Sequence, residues 1–491
     1  MEVEYSRIPI IMKRYSLEEK FAVCQKESKR IIDAFPAGKT DSIFLPWEVE
    51  VFALFSIMAF PEYGSGTFKG KGEKQFYKIM ESIRSYVHPE LRHEAAGRDW
   101  AKKFMMVTSL QQFKSQEDIR HRIYRYRQLF SFVNGKVNMP ALFKAKYNCT
   151  YKELWFPVLT IYLLMSKPNQ DISKILNYII TKNLDVLSLL IMDRTKFIEW
   201  QNKKIPDGID SYYYGFKYFY PYPFIEYDKY IYVPLPHLLI DSVTDSILTR
   251  LTFGEDNLRS LIGKEVIENY LFEILKDSEA YDEIEKEILY MREGKNQYAS
   301  PDVMVRVAEK CILFDCKMAV PKLSLRDFSK KDIEKCVSDI AKNVIQLYQQ
   351  INFFNDDYRP FKYQGEIYRD NIFGVVVLLE EHYLSREDIY QQVFDLLKIS
   401  AESLDANYIS SHVKIVGLNE IEDTSFNKDC FIHRLVSNAN DESAKYNYRL
   451  INNAPLRQKE AGLSDGFAGF IQEIESEARL FAEELKEQGL F

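Results

Sequence analysis

Tyr298-Ala-Ser-Pro-Asp302-Val-Met-Val-Arg-Val307-Ala-Glu-Lys310-Cys-Ile-Leu-Phe-Asp315-Cys-Lys317 holds two short β-type runs with charged residues at set positions. Val303 to Val307 and Cys311 to Cys316 are rich in β-branched and apolar side chains, and the link Ala308-Glu309-Lys310 is short enough for a hairpin. Two adjacent antiparallel strands are predicted. Side chains alternate along a strand, so Leu313, Asp315 and Lys317 share one face while Ile312, Phe314 and Cys316 take the other. Asp302 opens the first strand just after Pro301, and the hairpin folds that end back beside Asp315 and Lys317. Two carboxylates and one ammonium are expected to converge.

Elements predicted on either side give this hairpin a context. A helical run, Leu261 to Leu275, precedes it and carries Glu265 and Glu268. A long amphipathic run, Asp332 to Phe354, follows and contains Gln346. Ile372 to Leu379 reads as a buried strand, Arg386 to Ile399 as a helix and His412 to Leu418 as a last strand. Pro301-Asp302 followed by Asp315-Cys316-Lys317 resembles the motif of the PD-(D/E)XK nuclease superfamily over roughly residues 256–425, and the element order αβββαβαβ is what that restriction-endonuclease-like core would give.

The resemblance implies a Mg²⁺-dependent phosphodiester hydrolase, with Mn²⁺ able to substitute. It makes Asp302, Asp315 and Glu268 acidic metal ligands, the Cys316 carbonyl a further ligand, Lys317 the amine that orients water and stabilises charge, and Gln346 a helper. Glu265 lies one helical turn from Glu268 and competes for the role of helix acid. The interval from Gly263 to Glu268 is one residue longer than the family's usual spacing. The chemistry suits these residue types, because a hard cation offsets phosphate charge and lowers the pKa of a bound water, while a nearby lysine stabilises developing charge.

Composition bounds the rest. A chain of 491 residues exceeds one typical core, and 46% apolar with 28% charged residues is the balance of a folded, non-disordered protein. The longest apolar run, Leu154 to Met165, is about a dozen residues and falls short of a bilayer span. No secretory leader is visible at Met1 to Arg7, so a cytoplasmic location is expected. Six scattered cysteines with no C-x-x-C pair argue against a zinc site and a disulfide framework, and Cys316 reads as a small core residue rather than a nucleophile. A net charge of −7 requires that any polyanion be met by a local basic strip.

The fold expected is multi-domain α+β: a mostly helical regulatory or partner-binding region over 1–205, an aromatic-rich β hairpin and connecting helix over 206–255, the nuclease-like α/β core over 256–425, and a loop with an acidic amphipathic helix over 426–491. Ser16 with Glu19 gives a capping-box start to the first long helix. The basic stretch Ile119 to Arg127 sets Ile119, Ile123 and Tyr126 on one helical side, which leaves Arg120, Arg122, Arg125 and Arg127 either as a phosphate clamp or as a solvated face. The functional expectation is a nuclease acting on DNA in preference to RNA, of restriction or anti-invader type and with no membrane partner. Self-association or a protein partner is assigned to the N-terminal helices or the last helix. The alternatives are a non-catalytic nucleic-acid-binding or assembly module on a nuclease-like scaffold, and an RNA-cleaving effector switched on by a partner or ligand.

Overall fold

The computed structural model describes residues 3–34, 44–86, 117–166, 172–204, 219–292, 296–321, 329–450 and 462–490, with residues 102, 106, 109, 208–209, 212 and 325 between them. The chain is mixed α/β, mostly helical, and ends in a long helix. No helix among the described residues is long and apolar enough to cross a membrane. Two compact units divide it, and they interleave along the sequence. The first comprises Met1–Ile119, Pro140–Leu251 and Glu483–Phe491, and the second Arg120–Met139 and Thr252–Ala482. Residues 120–139, expected within the N-terminal helical region, therefore pack with the sheet-bearing unit.

In the first unit, α1 (Leu17–Ala34) buries Leu17, Phe21, Cys24 and Ile31. Half of the predicted capping box forms at its start: the Glu19 amide donates to Ser16 Oγ at 3.3 Å, while the Glu19 carboxylate accepts from Thr67 Oγ1 and the Phe68 amide. Helix α2 (Pro46–Met58) is buried on almost every side, including Glu48 and Glu50. Glu50 accepts from His237 Nε2 at 3.1 Å, and His237 Nδ1 lies 2.7 Å from Ser28 Oγ. That serine, histidine and glutamate line up as in a nucleophilic triad, yet Ser28 is fully buried and also accepts from the His237 backbone amide, so the set pins helices together. The predicted aromatic hairpin forms in this unit: β1 (Ile191–Asp193) pairs in parallel with β2 (Phe224–Tyr227), which turns at Asp228-Lys229 into β3 (Tyr230–Tyr232). Both turn residues adopt positive φ, as a tight hairpin turn requires. Residues 213–218 of the aromatic run lie outside the described residues.

The second unit takes α3 (Ile119–Ser131) from residue 120 onward and then, after the return of the chain at 252, α4 (Asp256–Ile262), a π turn (Gly263–Ile267) and α5 (Glu268–Asp277). Strand β4 (Glu283–Lys286) leads into a hairpin of β5 (Leu289–Arg292) and β6 (Asn296–Ala299), and then come β7 (Val303–Val307) and β8 (Lys310–Lys317). Helix α6 (Lys330–Phe353) connects β8 to β9 (Ile372–Leu378). Helices α7 (Arg386–Leu397) and α8 (Leu404–His412) connect β9 to β10 (Val413–Gly417), and α9 (Leu418–Ser425) and the final α10 (Asp465–Glu487) complete the fold.

The sheet order is β10-β9-β8-β7-β4, with β4, β7 and β8 antiparallel and β8, β9 and β10 parallel. Parallel neighbours require long crossovers, which α6 and the α7–α8 pair provide. The β5–β6 hairpin is an addition to the expected element order, as is α8. Strand β8 is buried from Cys311 through Cys316, so both its faces are covered and not only the one carrying Ile312 and Phe314. Gly374, in the middle of β9, is required by packing: a Cβ there would lie 2.9 Å from Leu347 Cγ of α6.

Candidate metal centre

The β7–β8 ladder sets the geometry. Val303 stands opposite Phe314, so Asp302, one residue before, reaches the level of Asp315 and Cys316. Its carboxylate Oδ2 accepts from the Cys316 amide at 2.6 Å. On β8, Lys317 Nζ lies 2.9 Å from Asp315 Oδ2 and donates to Oδ1 at 3.0 Å. The three charged groups predicted to converge are therefore neighbours at one end of the central strands.

Glu268 joins them through electrostatics rather than through a hydrogen bond. Burial, followed by the charge on Asp302, pushes its carboxyl up to about 8. Asp302 is raised to about 7 by burial and then by Asp315, against the Cys316 amide and Lys317. Asp315 is raised as well, by burial, with Lys317 and a hydrogen bond shared with Asp302 opposing. Burial works against the Lys317 ammonium, but Asp315 and then Asp302 outweigh it and hold its pKa above the usual lysine value. Glu287 adds to the rise of both Glu268 and Asp302, and Lys264 opposes it at Glu268, so carboxyls outnumber cations here and hold protons that exposed carboxyls would have lost.

A π turn stands immediately before Glu268. The Glu268 amide bonds to the Gly263 carbonyl, a five-residue closure that absorbs one extra residue and re-aims the following helix. Glu265, the competing acid, is held elsewhere, accepting from Asn134 Nδ2 at 2.9 Å and from Lys136 Nζ at 2.6 Å.

Other predicted site residues fall away from the centre. Gln346 is on the exposed side of α6. Its neighbour Leu347 presses on Gly374, which pairs with Leu313, so Gln346 sits at a level short of Asp315. The arginine stretch does not present an exposed clamp. Arg125 is 1% exposed and Arg122 4%. Arg125 donates through Nε and Nη2 to Glu422 at 2.8 and 2.7 Å and through Nη1 to Glu380 at 2.9 Å. Arg127 Nη2 bonds Glu473 at 2.5 Å, and among the four only Arg120 is exposed. The acids that draw these arginines inward lie hundreds of residues away in sequence, where no local pattern could reveal them.

Among the described residues, no group of three or more His, Cys, Asp and Glu side chains is preformed around a metal position. What the centre offers is two aspartates in contact, a glutamate beyond them, and an Asp315 Oδ2 that is buried without a hydrogen-bond donor of good geometry despite the nearby ammonium. Carboxylate oxygens are the hard donors that Mg²⁺ prefers, and the thiolate and imidazole ligands of a closed zinc site are not gathered here among the described residues. A cleft of about 330 Å³ lies between α3 and α5, and its lining includes none of these acids. Comparison of the chain with protein-family models, curated proteins and solved structures gives no match.

Proposed function

We propose that this chain is a Mg²⁺-dependent nuclease of PD-(D/E)XK type, with Asp302, Asp315, Glu268 and Lys317 as its working residues and DNA as its first candidate substrate. The observation that supports the reading most directly is the meeting of Asp302, Asp315 and Lys317 at the ends of β7 and β8, with the Cys316 amide donating to Asp302. The mixed five-stranded sheet, with α6 crossing from β8 to β9, is the coarse α/β setting that this reading needs.

Asp302 and Asp315 would hold the cation, with Glu268 and the Cys316 carbonyl as further oxygen donors. Bound there, Mg²⁺ would supply charge neutralisation and a more acidic water. The chain's own contribution is positional. The Cys316 amide orients the Asp302 carboxylate, leaving its other oxygen for a ligand. Lys317 neutralises part of the carboxylate surplus and stands where negative charge on a phosphate would be stabilised. The π turn brings Glu268, and not Glu265, toward the aspartates. With the arginines of α3 turned inward, the clamp plays no part in this reading, and phosphate contacts fall to other cations.

Asp315→Ala and Lys317→Ala are each expected to cut cleavage of supercoiled DNA by about 10²-fold or more while the circular dichroism spectrum is retained. Parallel incubations with linear duplex, single strands and RNA identify the substrate. Mg²⁺-dependent cleavage at the wild-type rate by the double variant would remove the site. The Asp315–Lys317 ion pair and the lack of a preformed three-acid cage favour a second reading, a non-catalytic scaffold. Calorimetric titration with Mn²⁺ separates the two, because a scaffold takes up no metal at these aspartates.

A further inference from the structure

We propose that Arg125, Tyr126 and Tyr270 are positioning residues for the metal centre, forming a buried strut that holds α5 and the end of β9 in the places the acids require. The inference rests on the nuclease reading above and concerns residues to which that reading gives no role.

The strut can be followed bond by bond. Tyr270, two residues after Glu268 on α5, donates its hydroxyl to Glu422 Oε1 of α9 at 2.7 Å. Arg125 of α3 grips both oxygens of Glu422 and reaches on to Glu380. Glu380 Oε1 also accepts from the Tyr126 hydroxyl at 2.8 Å. Its own amide donates to the Ala319 carbonyl at 3.1 Å, while the preceding amide, Leu379, donates to the Lys317 carbonyl at 3.1 Å. The chain of bonds thus runs from the helix of Glu268 to the backbone of Lys317, and α3 closes it.

Stability alone is a poor reason for such an arrangement. A buried ion network gains little over well-packed apolar residues, since each charge must first leave water. What it supplies is fixed geometry: a planar guanidinium engages one carboxylate with two parallel bonds and a second with one, so Glu422 and Glu380 keep a set separation. The two tyrosine hydroxyls occupy remaining lone pairs on the glutamates. Groups hydrogen-bonded to a metal ligand orient it and are felt in metal affinity; the strut acts one step further out, on the helix and strand that carry the ligands. The basic, aromatic stretch at residues 120–127 then serves the site from behind instead of gripping a substrate.

The test uses the full-length protein with Tyr270→Phe and Tyr126→Phe, each of which removes one hydroxyl and leaves no cation unpaired. Tyr390→Phe is the control, because that buried hydroxyl donates to the Val413 carbonyl at 2.6 Å in the same unit without a link to the acids. Mn²⁺ affinity by titration calorimetry, DNA cleavage and thermal melting are read on all four proteins. Tyr270→Phe is expected to bind Mn²⁺ about 10-fold more weakly, the lower end of the loss seen on removing a group bonded directly to a ligand, with cleavage falling in step, and to melt no earlier than Tyr390→Phe, whose affinity stays at the wild-type value. If Tyr270→Phe does not fold, Tyr126→Phe, which leaves every bond to Glu422 in place, carries the same comparison. Unchanged Mn²⁺ affinity in both tyrosine variants, or an equal loss in Tyr390→Phe, overturns the strut while the nuclease reading stands. A wild-type protein that takes up no Mn²⁺ overturns both.

Discussion

Glu420 of α9 is 4% exposed, and its Oε2 accepts from the Leu450 amide at 2.8 Å. Burial pushes its carboxyl up to about 7; Glu381 adds to the rise, while the Leu450 amide and the cations Arg434 and Arg449 oppose it. A folded pKa above the unfolded one means that the native state binds the proton more tightly. The stabilising contribution is full below about 4.5, declines through the interval from 4.5 to 7, and is gone above it. Glu420→Gln keeps the acceptor and removes the charge. It is expected to flatten the loss of stability between pH 4.5 and 7 and to make the protein more stable at pH 8, by on the order of 3 kcal/mol at most. Urea titrations at a series of pH values read the difference, and parallel curves for the two proteins would contradict it. At this scale the sequence was a partial guide. Asp302, Asp315 and Lys317 were legible because strand alternation and a short turn place them locally, whereas the raised carboxyl of Glu420 comes from burial and from Glu381, 39 residues away in sequence.

The β9–α6 contact shows how an element's position is enforced. Gly374 pairs with Leu313 on one side and Val413 on the other, and Leu347 and Ile351 of α6 close over it. Ala would gain some backbone stiffness relative to Gly in a strand, but its Cβ at 2.9 Å from Leu347 Cγ is well inside contact distance. The branch point of Leu347 cannot swing aside as a chain end can, so α6 would have to lift. Gly374→Ala is therefore expected to lower stability by about 1–3 kcal/mol, measurable as a lower urea midpoint with an unchanged slope. A midpoint at or above the wild type would show that α6 yields freely. Elements of this kind were readable in advance where apolar content and period were strong: β9, α6 and α7 lie within a few residues of the runs that predicted them. Strand β4 is mostly charged, and β5 exposes Leu289 and Met291 while burying Tyr290, so neither carried an apolar alternation that could be read individually. Helix α3 misled because an arginine-rich face normally signals solvent, and nothing local announces two buried glutamates.

The interleaving of the two units bears on how the chain can be cut. Residues 252–482 hold the whole five-stranded sheet and all the candidate metal ligands, so a boundary drawn from strand and helix order alone would isolate them as a domain. Such a fragment lacks Arg125, leaving Glu422 fully buried and Glu380 at 4% exposure without the cation that satisfies both. Removing one partner of a buried ion pair costs about 3–5 kcal/mol, a large share of the roughly 5–15 kcal/mol that typically separates native from unfolded protein. The loss of Tyr124, Tyr126 and Phe130, all buried, adds to it. The fragment 252–482 is expected to be unfolded or aggregated. The same fragment preceded by residues 117–139 on a flexible linker is expected to show a cooperative thermal transition. Neutralising the orphaned acids as Glu380→Gln with Glu422→Gln should recover part of that transition without the added helix, because an uncharged amide is less costly to bury than an unpaired carboxylate. A cooperative melt from 252–482 alone would mean that α3 is dispensable to the sheet-bearing unit.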